Sequence, residues 1–354
     1  MPIIEQVNIV GIASCVPSHE VDNHELKNFS SSDVAKIIEN TGVKKRRITR
    51  SVCSSDLCYR AAMSLLSALD CDPDSIDIVI FVSQTPDYVL PATACTLQHR
   101  LGLSEKVMAF DINLGCSGYV YGLIVAAQML CTGTFKKALL LTGDTISKLA
   151  SEQDKTVAFL FGDAGAATLL EHDPSAAPMI FDYGTNGGGF DKLIVEAGGF
   201  RSRSDNTTLQ RVHDDIGNYR AKSELFMSGP DVFSFTIREV PKTILKTLAE
   251  AKWSDSDVTA YFFHQANAFM LKHLVKKLGL NPEKAPIEVE EVGNTSVASI
   301  PLTICLTAEK ILTNYPAKLI LAGFGVGFSW ATMACQLTNT KILALEYYGD
   351  ESSF

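Results

Sequence analysis

Three residues far apart in the chain could do chemistry together: Cys116, His264 and Asn294. Cys116 lies in Gly115-Cys-Ser-Gly118, between a strand-like run ending near Asn113 and the apolar segment from Tyr119 to Cys131. A cysteine in a turn that opens a helix sits at the positive end of the helix dipole. Unpaired N–H groups there favour the thiolate and can hold an anion formed during reaction. A cysteine by itself is more often a small buried hydrophobe. His264 directly follows the apolar run from Tyr261 to Phe263, and active groups of open α/β sheets collect at such strand ends. Asn294, in Glu291-Val-Gly-Asn-Thr-Ser296, opens an apolar helix from Val297 to Leu312. Singly, the histidine would be a core residue and the asparagine a turn residue or N-cap. As a set they suit thioester chemistry. A thiolate attacks a thioester and leaves reversibly, and two neutral hydrogen-bond donors suit an oxygen whose negative charge grows in the transition state.

Apolar patterning shows which elements must position these groups. Val7 to Ile12 reads as a strand ending before Pro17, and Asn23 to Glu39 carries a weak helical pattern. Lys44-Lys-Arg-Arg47 reads as a solvated loop. Ser54 to Leu69 is an amphipathic helix with Leu57, Ala61, Leu65 and Leu69 on one face. Ile76 to Val82 is apolar throughout, as in a strand covered on both faces. A helix from Ala92 to Leu101, the strand before Cys116, a strand from Ala138 to Thr142 and a Gly-interrupted turn into a strand from Phe161 to Leu170 follow. Val258 to Phe263, the Asn294 turn with its helix, Ala317 to Ala322 and Phe328 to Leu337 repeat that order. The expected organisation is α/β, in two similar halves at 1–172 and 173–354. A pseudo-twofold between them would set Cys116 opposite Asn294.

The segment at about 171–225 is loop-rich, with Gly187 to Gly189, Gly198-Gly199 and the polar run from Arg201 to Thr208. It is expected to lie over a site or an interface. Met227 to Ile237 and Ile244 to Ala251 resume strand and helix patterning, and Glu351 to Phe354 is expected to fray. Gly323-Phe-Gly-Val-Gly327 would let backbone approach a ligand closely.

Composition narrows the classes. Of 354 residues 46% are hydrophobic and 20% charged, as in a globular protein with a sizeable core. A net charge of −9 argues against general nucleic-acid binding and against attraction to anionic lipid. The nine cysteines are scattered with no CxxC, which fits reduced thiols in a cytoplasmic setting and gives no metal pattern. The N-terminus lacks the features of a signal peptide, and no apolar run is long enough to span a membrane.

Cys-Ser-Gly at 116–118, Phe-Gly-Asp at 161–163, His-Gln-Ala-Asn at 264–267, Gly-Asn-Thr-Ser at 293–296 and Gly-Phe-Ser-Trp at 327–330 occur in this order. They resemble the thiolase-fold β-ketoacyl-acyl-carrier-protein synthase III family over nearly the whole chain. The resemblance implies layered α/β/α/β/α halves of βαβαβ type and a homodimer. It implies no cofactor beyond acyl-coenzyme A or acyl-carrier-protein substrates. It also implies a triad in which Cys116 accepts the acyl group while His264 and Asn294 promote decarboxylation of a malonyl thioester. The N–H groups of Cys116 and Val326 would form the oxyanion hole. Leu90, Phe161 and Gly229 fall at substrate-pocket positions, and Leu90 also at a dimer contact. Lys272, Lys276 and Lys277 fall at carrier-docking positions, with His273 beside them. The family's adenine-binding tryptophan and arginine are replaced by Lys36 and Asn40, and a docking arginine by Phe269. A specialised acyl acceptor other than malonate, and a non-enzymatic thiolase-fold subunit, are the alternatives.

Overall fold

The computed structural model describes residues 1–349; the expected frayed end at Glu351 to Phe354 lies outside the described residues. In chain order the principal elements are β1 (Val7–Pro17), α1 (Ser31–Thr41), α2 (Ser54–Ala68), β2 (Ile78–Val82), α3 (Thr93–Arg100), β3 (Met108–Ile112), α4 (Gly118–Leu130), β4 (Lys137–Asp144) and β5 (Ala164–His172). Then come β6 (Met179–Thr185), α5 (Gly229–Ala251), β7 (Ala260–Phe263), α6 (Ala268–Leu278), α7 (Ser299–Ile311), β8 (Ala317–Gly325) and β9 (Ser329–Leu337).

Two sheets carry the same topology. The first runs β1-β5-β4-β2-β3 and the second β6-β9-β8-β7. In both, the first two pairings are antiparallel and the third is parallel. The chain ends cross between sheets. Ile3–Ile4 pairs with β6, while Lys341–Ile342 and Glu346–Tyr348 pair with β1.

Alternation along the buried strands builds the layers. Ile78, Ile80 and Val82 of β2 join Phe262, Leu319 and Leu321 of the second sheet in one core with α4 and α7. Val79 and Phe81 face the other way, onto α2. Tyr261, Phe263 and Ile320 likewise pack against α5 and α6. The order is therefore helix, sheet, helix pair, sheet, helix. A helix between two sheets must be apolar on nearly every side, and α4 is. It must also come close: a Cβ on Gly122 would sit 2.7 Å from Leu140 Cδ1.

Three expectations are corrected. β1 runs through Pro17, because its far end pairs with the distant Glu346–Tyr348. Lys45–Arg47 is a strand paired with Glu20–Asp22, and Arg46 is buried. Its Nε donates to Asn23 Oδ1 at 2.8 Å and Nη1 to the Phe161 carbonyl at 3.3 Å. Third, 229–251 is one helix through Pro241. A proline in a helix leaves the carbonyl four residues earlier without its donor, here Ile237, and Lys277 Nζ donates to it at 2.9 Å. The loop-rich segment is tied to 149–154 by backbone hydrogen bonds from Tyr219 to Gln153 and from Leu225 to Leu149.

Candidate active site

Cys116 lies in the turn between β3 and α4 and is 7% exposed. Gly325 faces it so closely that a Cβ there would meet Cys116 Cβ at 2.6 Å. The Val326 N–H that follows and the Ser296 hydroxyl lie near enough to the thiol to pull its pKa down. Val326 is held in turn: its carbonyl accepts from Ser329 Oγ at 2.9 Å, and that hydroxyl lies 2.7 Å from Ser117 Oγ. Burial nevertheless dominates and pushes the Cys116 thiol up to about 11. Helix-opening N–H groups therefore do not leave a resting thiolate at neutral pH. To act as a nucleophile the thiol would have to lose its proton first.

His264 follows β7, 2% exposed, with Nδ1 2.8 Å from Ser299 Oγ and the ring edge-on to Phe324. Burial pulls it down to about 3, against a hydrogen bond to Ser296 backbone that raises it. The ring is neutral at physiological pH, as a hydrogen-bond donor to an oxyanion requires. Asn294 is fixed on both sides of its amide, with Oδ1 accepting from the Ser296 N–H at 2.9 Å and Nδ2 donating to the Ala266 carbonyl at 3.3 Å. Its backbone pairs with the Phe161 segment through Asn294 N to Leu160 O at 2.9 Å and Gly162 N to Asn294 O at 3.1 Å. Gly162 must be glycine, because a Cβ would fall 1.9 Å from the Val292 carbonyl. Asp163 braces this crossing by accepting from the N–H groups of Thr49 and Ser147.

Cys116, His264 and Asn294 line one cavity of about 70 Å³, together with Phe161 and Gly229. A wider cavity of about 760 Å³ also reaches Cys116, lined by Phe161, Ile146, Leu225, Ser296 and Val326 among others. It is walled in part by the loop-rich segment at Gly198, Gly199, Ser204 and Ser223. Leu90 lines neither cavity. It is 78% exposed beside Tyr88 and Val89, also exposed. Lys272, Lys276 and Lys277 lie on the exposed face of α6, with Lys277 engaged at Ile237. His273 is packed against Phe233 and Phe269, so the patch is as aromatic as it is basic. Lys36 and Asn40 stand exposed on α1.

Sequence reasoning missed Ser299, the partner of His264, and the burial of Arg46. No local signal marks the first. The charge run around Arg46 pointed to solvent, the opposite of its place. Among the described residues no group of His, Cys, Asp and Glu could hold a metal ion, and no helix is long and apolar enough to cross a membrane.

The fold and the cysteine-centred site are those of a thiolase-like protein, and the comparisons narrow the class. Residues 110–187 match 3-oxoacyl-[acyl-carrier-protein (ACP)] synthase III and residues 248–337 match its C-terminal part. The chain is 35% identical to beta-ketoacyl-[acyl-carrier-protein] synthase III of Desulfitobacterium hafniense (strain Y51), over 92% of this chain and 96% of that one. It is 33% identical to the enzyme of that name from Clostridium tetani, over 92% and 97%. The crystal structure of a 3-oxoacyl-(acyl-carrier protein) synthase from Burkholderia xenovorans LB400 superposes with a TM-score of 0.91 at 41% identity, covering 98% of each chain. The chain belongs to the 3-oxoacyl-acyl-carrier-protein synthase III family.

Proposed function

We propose that this chain is a condensing acyltransferase that carries its acyl group on Cys116. In the first half-reaction Cys116 Sγ attacks an acyl thioester, and the carrier thiol leaves. The N–H groups of Cys116 and Val326 stabilise the tetrahedral oxyanion. In the second, a malonyl-type thioester loses carbon dioxide, and the neutral His264 ring and Asn294 amide hydrogen-bond the enolate oxygen. The enolate carbon then attacks the acyl group and frees Cys116. The observation that carries this reading is the sharing of one small cavity by Cys116, His264 and Asn294.

The substrates are acyl-carrier-protein or coenzyme A thioesters, with the Lys272, Lys276 and Lys277 face docking the anionic carrier. The enzyme works without a resident cofactor or metal, as a cytoplasmic homodimer in fatty acid or related biosynthesis. It has no nucleic-acid or membrane partner. Lys36 and Asn40 offer no adenine platform, so carrier-bound malonate is the better donor. The wider cavity beside Cys116 supports one second reading, transfer to a bulkier acceptor without decarboxylation. The discriminating experiment locates the acyl adduct by mass spectrometry after incubation with acyl thioesters, then measures carbon dioxide released from malonyl-carrier protein. Condensation predicts an adduct on Cys116, absent in Cys116→Ala, and carbon dioxide release that depends on it. An adduct without release favours the second reading, and no adduct with any thioester defeats both.

A further inference from the structure

If Cys116 carries an acyl group, as proposed above, the chain behind the thioester must lie somewhere, and the two cavities at Cys116 differ in what they can hold. The narrow one, of about 70 Å³, contains His264 and Asn294, and the wide one, of about 760 Å³, contains neither. Cys116, Phe161 and Leu193 line both. At roughly 30 Å³ for a methylene-sized group, the narrow cavity holds about two and half of the wide one about twelve. A malonyl group that must meet His264 and Asn294 needs the narrow cavity. The acyl chain is left the wide one.

The lining of the wide cavity fits a hydrocarbon. Ile146, Leu193 and Leu225 are buried core residues, and Val195 packs against the same apolar cluster. Backbone pairing fixes this wall. Leu193–Ile194 pairs antiparallel with Phe226–Met227. Leu225 N donates to the Leu149 carbonyl at 2.8 Å, and Ala197 N to the Lys222 carbonyl at 2.9 Å. Asn113 and Ser204, polar side chains that share the lining, are exposed to solvent.

We propose that the wide cavity holds the acyl chain, and that the enzyme takes medium-chain acyl thioesters, octanoyl to dodecanoyl, in preference to acetyl. Ile146, Val195 and Leu225 set the length. An acetyl group would leave their apolar surface against water. Each further methylene covers more of it, which gives about a fourfold gain until the chain reaches the exposed rim. The chemistry is that of the first half-reaction. The carbon–sulfur bond to Cys116 forms, the one to the carrier breaks, and the carrier departs as a thiol with the proton that Cys116 gives up.

The test uses the full chain and straight-chain N-acetylcysteamine thioesters from acetyl to tetradecanoyl, which bear neither nucleotide nor carrier protein. Mass spectrometry follows the rate at which the adduct forms on Cys116. Wild type is expected to acylate at least about 100-fold faster with decanoyl than with acetyl. In Val195→Trp, whose indole would occupy the cavity, the decanoyl-to-butanoyl ratio is expected to fall at least about tenfold. In Leu225→Ala the fastest chain is expected to be longer than in wild type. Each ratio is taken within one preparation, so any loss of folded protein cancels. Adducts that form fastest with acetyl, or a wild-type profile in both variants, overturn the chain assignment and leave the acyl-enzyme standing. No adduct with any thioester overturns both.

Discussion

His264 shows how far burial reshapes a side chain that sequence identifies only by type. A solvent-exposed histidine gains a proton near pH 6.5, whereas this one stays neutral down to about 3. Between those values the unfolded chain binds a proton that the folded chain does not, so stability rises with pH through that window and falls on acidification. His264→Gln is expected to flatten that part of the stability-against-pH curve relative to wild type. Urea unfolding from pH 4 to 7 checks it, and parallel curves would contradict the buried neutral ring. For catalysis, the same depression means that the rate should show no acid limb from His264 near pH 6. The cysteine moves the other way. Burial pushes its thiol up to about 11, so the nucleophilic role proposed for it would require loss of that proton.

At the scale of elements, the site depends on a bridge between the loop before β5 and the loop before α7. Phe161 and Gly162 pair with Asn294, and Arg46 holds the Phe161 carbonyl from behind. Burial lowers the Arg46 guanidinium to about 10, against the pull of Asp163 and Glu152. Methionine at this position would fill the space but leave Asn23 Oδ1 and the Phe161 carbonyl without that donor. Arg46→Met is expected to lose about 2–4 kcal/mol of stability. Urea unfolding measures it. If Asn294 serves decarboxylation as proposed, acylation of Cys116 should suffer less than release of carbon dioxide. α5 teaches a related lesson: its interior proline is tolerated because Lys277, from another helix, occupies the carbonyl it strands.

At the scale of the molecule, the exposed run Tyr88, Val89 and Leu90 is the clearest unfinished surface. Three adjacent apolar side chains on one loop are poorly placed in water, and the homodimer we propose would cover them. Sedimentation equilibrium should find a dimer for wild type. Leu90→Asp should weaken it at least about tenfold, the equivalent of about 1.4 kcal/mol. An unchanged dimer would place the interface elsewhere.

The amino-acid sequence alone determined the α/β class, the repeated element order and the three polar residues worth joining, because apolar periodicity and turn chemistry are local properties. It also carried the family, through motifs spread along nearly the whole chain. Tertiary structure decided what no local pattern encodes. Folding put Arg46 of a charge run inside the protein, because Asn23 and the Phe161 carbonyl wait there for its donors. It continued β1 past the proline where patterning stopped it, because a partner strand arrives from the other end of the chain. It also buried Asp144, an unremarked residue at a strand end, where Gln84, Ser83 and Thr85 hydrogen-bond its carboxylate. Those partners lie about 60 residues earlier in the chain, and only the folded chain brings them together.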